Sequence, residues 1–314
     1  MMRRSNEKYA RPFLKWAGGK TQLLEKFVRF FPDELKKGEI GHYYEPFLGS
    51  GAVFFFIAQR YGIKKAYLSD INKEVVLTFN VVKKDVKKLI DELTLMREEY
   101  LRLDDVNREQ LYYKLRGDYN QSKDNINLKK YSSDWVTRAA QMIFLNKTCF
   151  NGLYRLNKKG EFNVPFGKYK NPQIIDSENL LRVSEILQIA TIKQTDFEEI
   201  KHDLTQDFFV YFDPPYRPLN KTSNFTSYSE YDFSENDQIR LASLYKELAE
   251  NGNKLMLSNS DPRNENTEDS FFEHHYKGYN INKVNAVRMI NCKGNKRGAI
   301  SELLITNYTS DYFV

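Results

Sequence analysis

Apolar positions follow two different periods along this chain, and the changes of period mark its organisation. Residues 12–72 alternate helix and strand signals. "TQLLEKFVRFF" carries a helical apolar face stopped by Pro32, "GHYYEPF" reads as a short strand, "GAVFFFIAQRYG" as a helix ended by Gly62, and "KKAYLSDIN" as the next strand. Such a β-α-β unit builds a parallel sheet. From Asn72 to Lys147 the pattern is helical: Leu89, Leu93, Met96 and Tyr100 recur at spacings of four, three and four, and "WVTRAAQMIFL" follows. Cys149 to Asn171, "CFNGLYRLNKKGEFNVPFGKYKN", is polar, basic and broken by Gly152, Gly160, Pro165 and Gly167, which predicts a loop or a protruding β-hairpin. After Asp176 strand patterns return in "IATIKQTDF", "DFFVYFDPPY", "NKLMLSNSD", "VNAVRMI" and "ISELLITNY". Between them "SENDQIRLASLYKELAENG" predicts a helix with Ser234 as N-cap and Gly252 as its C-terminal glycine. The expected fold is one α/β sheet, interrupted by a helical insert and a basic hairpin.

Within that pattern one junction carries candidate chemistry. The apolar run Phe208 to Phe212 reads as a buried strand and runs straight into Asp213, Pro214, Pro215 and Tyr216. Neither proline has an N–H to continue a ladder, so the strand ends with Asp213 at its carboxyl edge and a stiff turn behind it. A base's exocyclic amine is a poor nucleophile because its lone pair is delocalised into the ring. Two fixed acceptors, the Asp213 carboxylate and the Pro214 carbonyl, favour a tetrahedral nitrogen with that pair free. Tyr216 offers a face on which a flipped base can stack.

A second junction suits a nucleotide-like ligand. "EPFLGSGAVFFF" sets Gly49 and Gly51 between a strand and a helix, and Asp70 ends the following strand, where an acid commonly accepts from ribose hydroxyls. Two familiar fingerprints fail. A dinucleotide motif needs glycine where Phe54 stands, and a P-loop ending at "GKT" needs glycine where Leu14 stands. "KWAGGKTQ" is still a tight basic turn, with Lys20 able to meet a carboxylate and Trp16 a flat wall. A ligand with an adenosine end and an amino-acid end, S-adenosylmethionine, uses all of these features.

Composition narrows the partner. The 314 residues have a net charge of +6 and a pI of about 8.9, which favours a polyanion, and 14% are aromatic. Cys149 and Cys292 form no C-x-x-C pair, and His42, His202, His274 and His275 have no metal-ligand spacing, so no metal is expected. No apolar run suits a membrane span and the N-terminus lacks a signal-peptide core; a cytoplasmic protein is expected.

Taken together, "FLKWAGGK" (13–20), "EPFLGSGAVFF" (45–55), "SDIN" (69–72), "NGLYRLNKKGEFNVPFGKYKNP" (151–172), "DPPYRPL" (213–219), "LSNSD" (257–261) and "ELLITNY" (302–308) resemble the Dam-type DNA adenine-N6 methyltransferases of the alpha group, D12 class, over nearly the whole chain. The resemblance is to restriction-modification GATC methylases as much as to solitary ones. It implies a Rossmann-like S-adenosylmethionine-dependent methyltransferase sheet, with a catalytic domain from 1–72 and 176–314 and a DNA target-recognition domain over 73–175. It places Trp16, Lys20, Phe47, Gly49, Gly51, Asp70, Asp196, Phe197 and Asp213 at the cofactor and Asp213, Pro214, Pro215 and Tyr216 in catalysis. Phe150, Asn151, Leu153, Arg155, Asn157, Pro165 and Lys168 fall at the DNA, with Arg155 on the first guanine and Phe150, a tyrosine in some members, wedged into the duplex. "NKTCF" departs from the family versions around Lys147 and Thr148.

The implied activity is methyl transfer from S-adenosylmethionine to adenine N6 in double-stranded DNA, in GATC, by base flipping, with a cognate restriction endonuclease as functional partner. The same turn suits cytosine-N4 or RNA methylation, since either offers an exocyclic amine. A non-catalytic nucleic-acid-binding module is opposed by the intact "DPPY" and glycine turn, and a nicotinamide-dependent enzyme by Phe54.

Overall fold

The computed structural model describes residues 9–127, 130–203, 207–217, 233–287 and 299–310. Met1–Lys8, Pro218, Leu219, Cys292 and the Arg288–Ile290 end of an expected strand lie outside these residues. Seven strands form one mixed sheet: β1 (His42–Glu45), β2 (Lys65–Asp70), β3 (Ala190–Gln194), β4 (Phe208–Phe212), β5 (Lys254–Ser260), β6 (Asn280–Val287) and β7 (Ala299–Thr306), in the order β3-β2-β1-β4-β5-β7-β6. Strands β1 to β5 are parallel to their neighbours, and β7 runs antiparallel between β5 and β6. Strand β6 begins four residues before the "VNAVRMI" pattern, because "NINK" pairs on to Thr306 at the far end of β7.

The order reverses between β1 and β4, the switch point at which open α/β sheets bind ligands. All five residues of β4 are buried. Phe209 and Tyr211 join the core on one face, while Phe208, Val210 and Phe212 join the core on the other with Leu241 and Leu248. Burial on both faces is why this strand is continuously apolar rather than alternating.

Between β2 and β3 run three long helices, Lys73–Arg102, Asp105–Gln121 and Asp134–Thr148. Asn72 and Asp104 cap the first two with side-chain acceptors. Leu89, Leu93 and Tyr100 are fully buried, as their spacing predicts. Arg138 grips Glu74 with two hydrogen bonds of 2.8 and 2.7 Å, both side chains almost wholly buried, and ties the third helix to the start of the first. The helix Glu235–Glu250 begins in a full capping box of Ser234 and Asp237, and Gly252 follows its end at φ 85°.

The "TQLLEKFVRFF" segment is not one helix. It is a four-residue α turn, Leu24–Phe27, between two 3-10 turns. The Cys149–Asn171 segment does not protrude freely as a two-stranded ladder either. Two isolated antiparallel bridges, Cys149 to Phe166 and Leu156 to Phe162, hold it, and Tyr154, Phe162, Val164 and Phe166 are buried. Its carbonyls are taken up by the helix Asp105–Gln121: Tyr112 Oη donates to Val164 O at 2.7 Å and Asn120 Nδ2 to Phe162 O at 3.0 Å. Among the described residues no helix is long and apolar enough to cross a membrane.

Candidate active site

The residues that follow β1, β2, β3 and β4 meet at the carboxyl edge of the sheet. Asp213 stands one residue past β4 and is cross-linked through a single oxygen. Its Oδ1 accepts from Lys20 Nζ at 2.6 Å and from Ser258 Oγ of β5 at 3.1 Å, and Ser258 Oγ in turn meets Tyr211 Oη at 2.7 Å. Among the described residues Oδ2 has no hydrogen-bond partner. Lys20 is buried and also donates to Gly18 O at 2.9 Å. Burial alone would lower its pKa, but the Asp213 charge, with Tyr216 and Glu302 beside it, outweighs burial and keeps the ammonium charged.

The turn itself is fixed from three sides. Gln238 Nε2 donates to Pro215 O at 2.9 Å, Tyr216 Oη donates to Glu302 Oε1 of β7 at 2.8 Å, and Arg217 pairs with Asp269 at 2.6 Å. The Lys20 ammonium lies 4.9 Å from the centre of the Tyr216 ring.

Beside this turn, Asp70 closes the glycine loop. Gly49 N and Asn72 N each donate to one of its oxygens at 2.9 Å. Burial pushes its pKa up to about 6 against these backbone donors. Gly49 has φ 47°, and a Cβ there would meet the Trp16 indole at 3.0 Å, so only glycine fits against that ring. Gly51, at φ 69°, instead packs its bare Cα under Phe55 and Phe79. Phe47 stacks on Phe197 with centroids 5.4 Å apart. Asp196 uses Oδ1 for Glu198 N and for Arg240, at 3.0 and 2.9 Å.

The comparisons decide what kind of protein this is. Residues 16–290 match the model of the D12 class N6 adenine-specific DNA methyltransferases. The chain belongs to that family. It is similar to the type II methyltransferase M.MjaIII of Methanocaldococcus jannaschii, with 54% identity over 95% of this chain and 99% of that one. Type II methyltransferase M1.LlaDCHI of Lactococcus lactis is 39% identical over 95% of both chains, and the DNA adenine methylase of Vibrio cholerae is 34% identical over 95% of this chain and 96% of that one. The chain is therefore an adenine-specific DNA methyltransferase.

In this methyltransferase the segment expected at the DNA is anchored beneath and open above. Phe150 is half-exposed at 51% and its N–H donates to Pro165 O at 2.9 Å. Asn151 holds φ 56° and its N–H donates to Tyr169 Oη at 3.0 Å. Leu153 is half-buried and Pro165 exposed. Arg155 is exposed, with Nε donating to Asn163 Oδ1 at 2.7 Å. Asn157 closes the turn tip by accepting from Lys159 N and Glu161 N at 2.9 and 3.1 Å. Lys168 is exposed, 3.9 Å from Glu109. Tyr154 stacks on Trp16 at 5.4 Å and 23°, so the glycine loop and this segment share one aromatic contact.

Several members of the site escaped the sequence reading. Glu45, at the end of β1, is buried with Tyr43 Oη donating to it at 2.8 Å, and burial holds its carboxyl well above the usual range. Ser258 lies in the quoted motif "LSNSD" but nothing there pointed to Asp213, and Gln238 had no signal of its own. Glu302 did: a lone acid inside the apolar run "ISELLITNY".

Proposed function

We propose that this methyltransferase transfers the methyl group of S-adenosylmethionine to the N6 of an adenine turned out of duplex DNA, within GATC. The observation that carries the chemistry is Asp213 itself: Oδ1 is clamped by Lys20 and Ser258, while Oδ2 has no hydrogen-bond partner among the described residues and is the oxygen left for a substrate amine in this reading. An acceptor fixed before the substrate arrives needs little reorganisation at reaction.

The residues present fit the donor. Asp70 keeps lone pairs beyond its two backbone donors for ribose hydroxyls, Gly49 leaves room against Trp16, and the Phe47 and Phe197 rings provide flat apolar surface for a purine. S-adenosylmethionine, when bound, supplies an electrophilic methyl on a sulfonium. Asp213 Oδ2 and the Pro214 carbonyl accept from the adenine amine and free its lone pair for in-line attack. Transfer to the nitrogen would leave it with one proton too many, which the Asp213 carboxylate would take, while the Pro214 carbonyl would only accept a hydrogen bond. Tyr216 stacks on the extruded base, worth about 1–3 kcal/mol by analogy with single-strand binders. Turning the base out costs a few kcal/mol, recovered from such contacts.

Residues 73–175 form the target-recognition part in this reading. Exposed Arg155 reads guanine through O6 and N7, Phe150 wedges between base steps, Leu153 and Pro165 shape the groove contact, and Lys168, Asn157 and Asn151 hold the backbone. The names of the two type II relatives support a restriction-modification role beside a cognate endonuclease. The test is to offer duplexes containing GATC or single-base variants with S-adenosylmethionine, digest the product and identify the nucleoside by mass. N6-methyladenine confined to GATC is the expected result; N4-methylcytosine, or equal transfer to every duplex, contradicts it.

A further inference from the structure

Glu302 is a costly residue for its place. It lies on β7 opposite Ser260, directly before the apolar run Leu303–Ile305, and it shares its strand face with Leu304, which belongs to the core. It is only 8% exposed. Burying a carboxylate is unfavourable unless both oxygens find partners. Here Oε1 accepts from Tyr216 Oη at 2.8 Å, while Oε2 is buried with no hydrogen-bond partner among the described residues. A position chosen for stability would hold an apolar side chain.

The bond spans 86 positions of sequence and joins the antiparallel strand β7 to the turn after β4. Of the turn's four residues, Asp213 is held by Lys20 and Ser258 and Pro215 by Gln238. The Tyr216 hydroxyl donates to Glu302, the one acceptor it meets among the described residues, with the Lys20 ammonium beside it. With the hydroxyl tied, the ring cannot swing about its first two side-chain torsions, and its face stays beside Asp213. Without that acceptor the hydroxyl is left to the Lys20 ammonium, which already donates to Asp213 Oδ1 and Gly18 O.

We propose that Glu302 is a positioning residue for catalysis, which fixes the Tyr216 ring as the platform for the target base. This rests on the reading of Asp213 to Tyr216 as the catalytic turn. Glu302 touches neither substrate nor reacting atoms; it acts through the tyrosine hydroxyl.

The test is a double-mutant cycle on the full chain with a GATC duplex. Glu302→Ala is expected to lower kcat about tenfold, the size of one hydrogen bond to a charged group, with the KM for S-adenosylmethionine and the DNA Kd unchanged. Glu302→Gln, whose side-chain carbonyl still accepts, recovers most of that loss. Tyr216→Phe, which keeps the ring and deletes the hydroxyl, matches Glu302→Ala, and the double variant is no slower than either single one. A fluorescent base analogue at the target position should show a less ordered environment in Glu302→Ala. Wild-type kcat in Glu302→Ala, multiplying losses in the double variant, or a Glu302→Gln enzyme as slow as Glu302→Ala would each overturn the proposal. An Asp213→Ala control separates the two levels: if it keeps its turnover the catalytic reading itself fails, whereas a dead Asp213→Ala beside a normal Glu302→Ala removes only the role of Glu302.

Discussion

The turn after β4 and the Cys149–Asn171 segment are built on opposite plans. The turn is bonded at long range: Asp213 to Lys20, 193 positions away, Ser258 to Asp213 at 45, Tyr216 to Glu302 at 86 and Pro215 to Gln238 at 23. The basic segment bonds its upper side chains to itself, Arg155 to Asn163 at a separation of eight and Asn157 to Glu161 at four, while its buried rings face the helices. A group that must hold a reacting atom is fixed by the whole fold. In the proposed reading, the groups that meet DNA are set on a firm base and left exposed, able to adapt as the duplex docks.

Four perturbations sharpen that contrast. Lys20→Met strips the clamp from Asp213 and should lower kcat/KM by about 10²–10³, the range seen when one preorganised donor is lost, while DNA affinity in the absence of cofactor holds. Steady-state kinetics beside a DNA titration checks this; equal losses in both would erase the division of labour. Arg155→Ala should cost about 1–3 kcal/mol of discrimination at one guanine with kcat on the cognate duplex little changed. A uniform loss over all sequences would make Arg155 a phosphate contact instead.

Burial pushes the Asp70 carboxyl up to about 6, and in the proposed reading it accepts ribose hydroxyls as the carboxylate. Its ionised form fills above that pH. S-adenosylmethionine affinity should therefore be flat above about pH 7 and fall as pH drops through 6, by up to about tenfold per unit, as calorimetry at several pH values can show. Smallest is Lys168→Ala: a single exposed cation lost from the DNA face should reduce the slope of log affinity against log salt by about 0.9, without changing sequence preference.

How much of this the sequence revealed follows the same division. Strands β1, β2, β4 and β5, the first and third helices between β2 and β3 and the capped Glu235–Glu250 helix rest on local pattern and stops, and their signals were readable, whereas the helix Asp105–Gln121 had none of its own. The Asp213 junction was readable too, because proline chemistry is local. The partner of Lys20 was not. The sequence suggested a ligand carboxylate, and the fold supplies the one on Asp213, a pairing across 193 positions that exists only in the folded chain. The basic segment was expected to protrude because its charges dominate its composition. The period-two placement of Phe162, Val164 and Phe166 was the overlooked sign that one side is buried.

The central claim concerns one carboxylate, and single-turnover methylation by Asp213→Ala, with DNA binding measured on the same preparation, tests it most directly. The account predicts that transfer to adenine disappears while the duplex is bound with unchanged affinity. Near-normal transfer by that variant would show that the amine is handled elsewhere and would contradict the account.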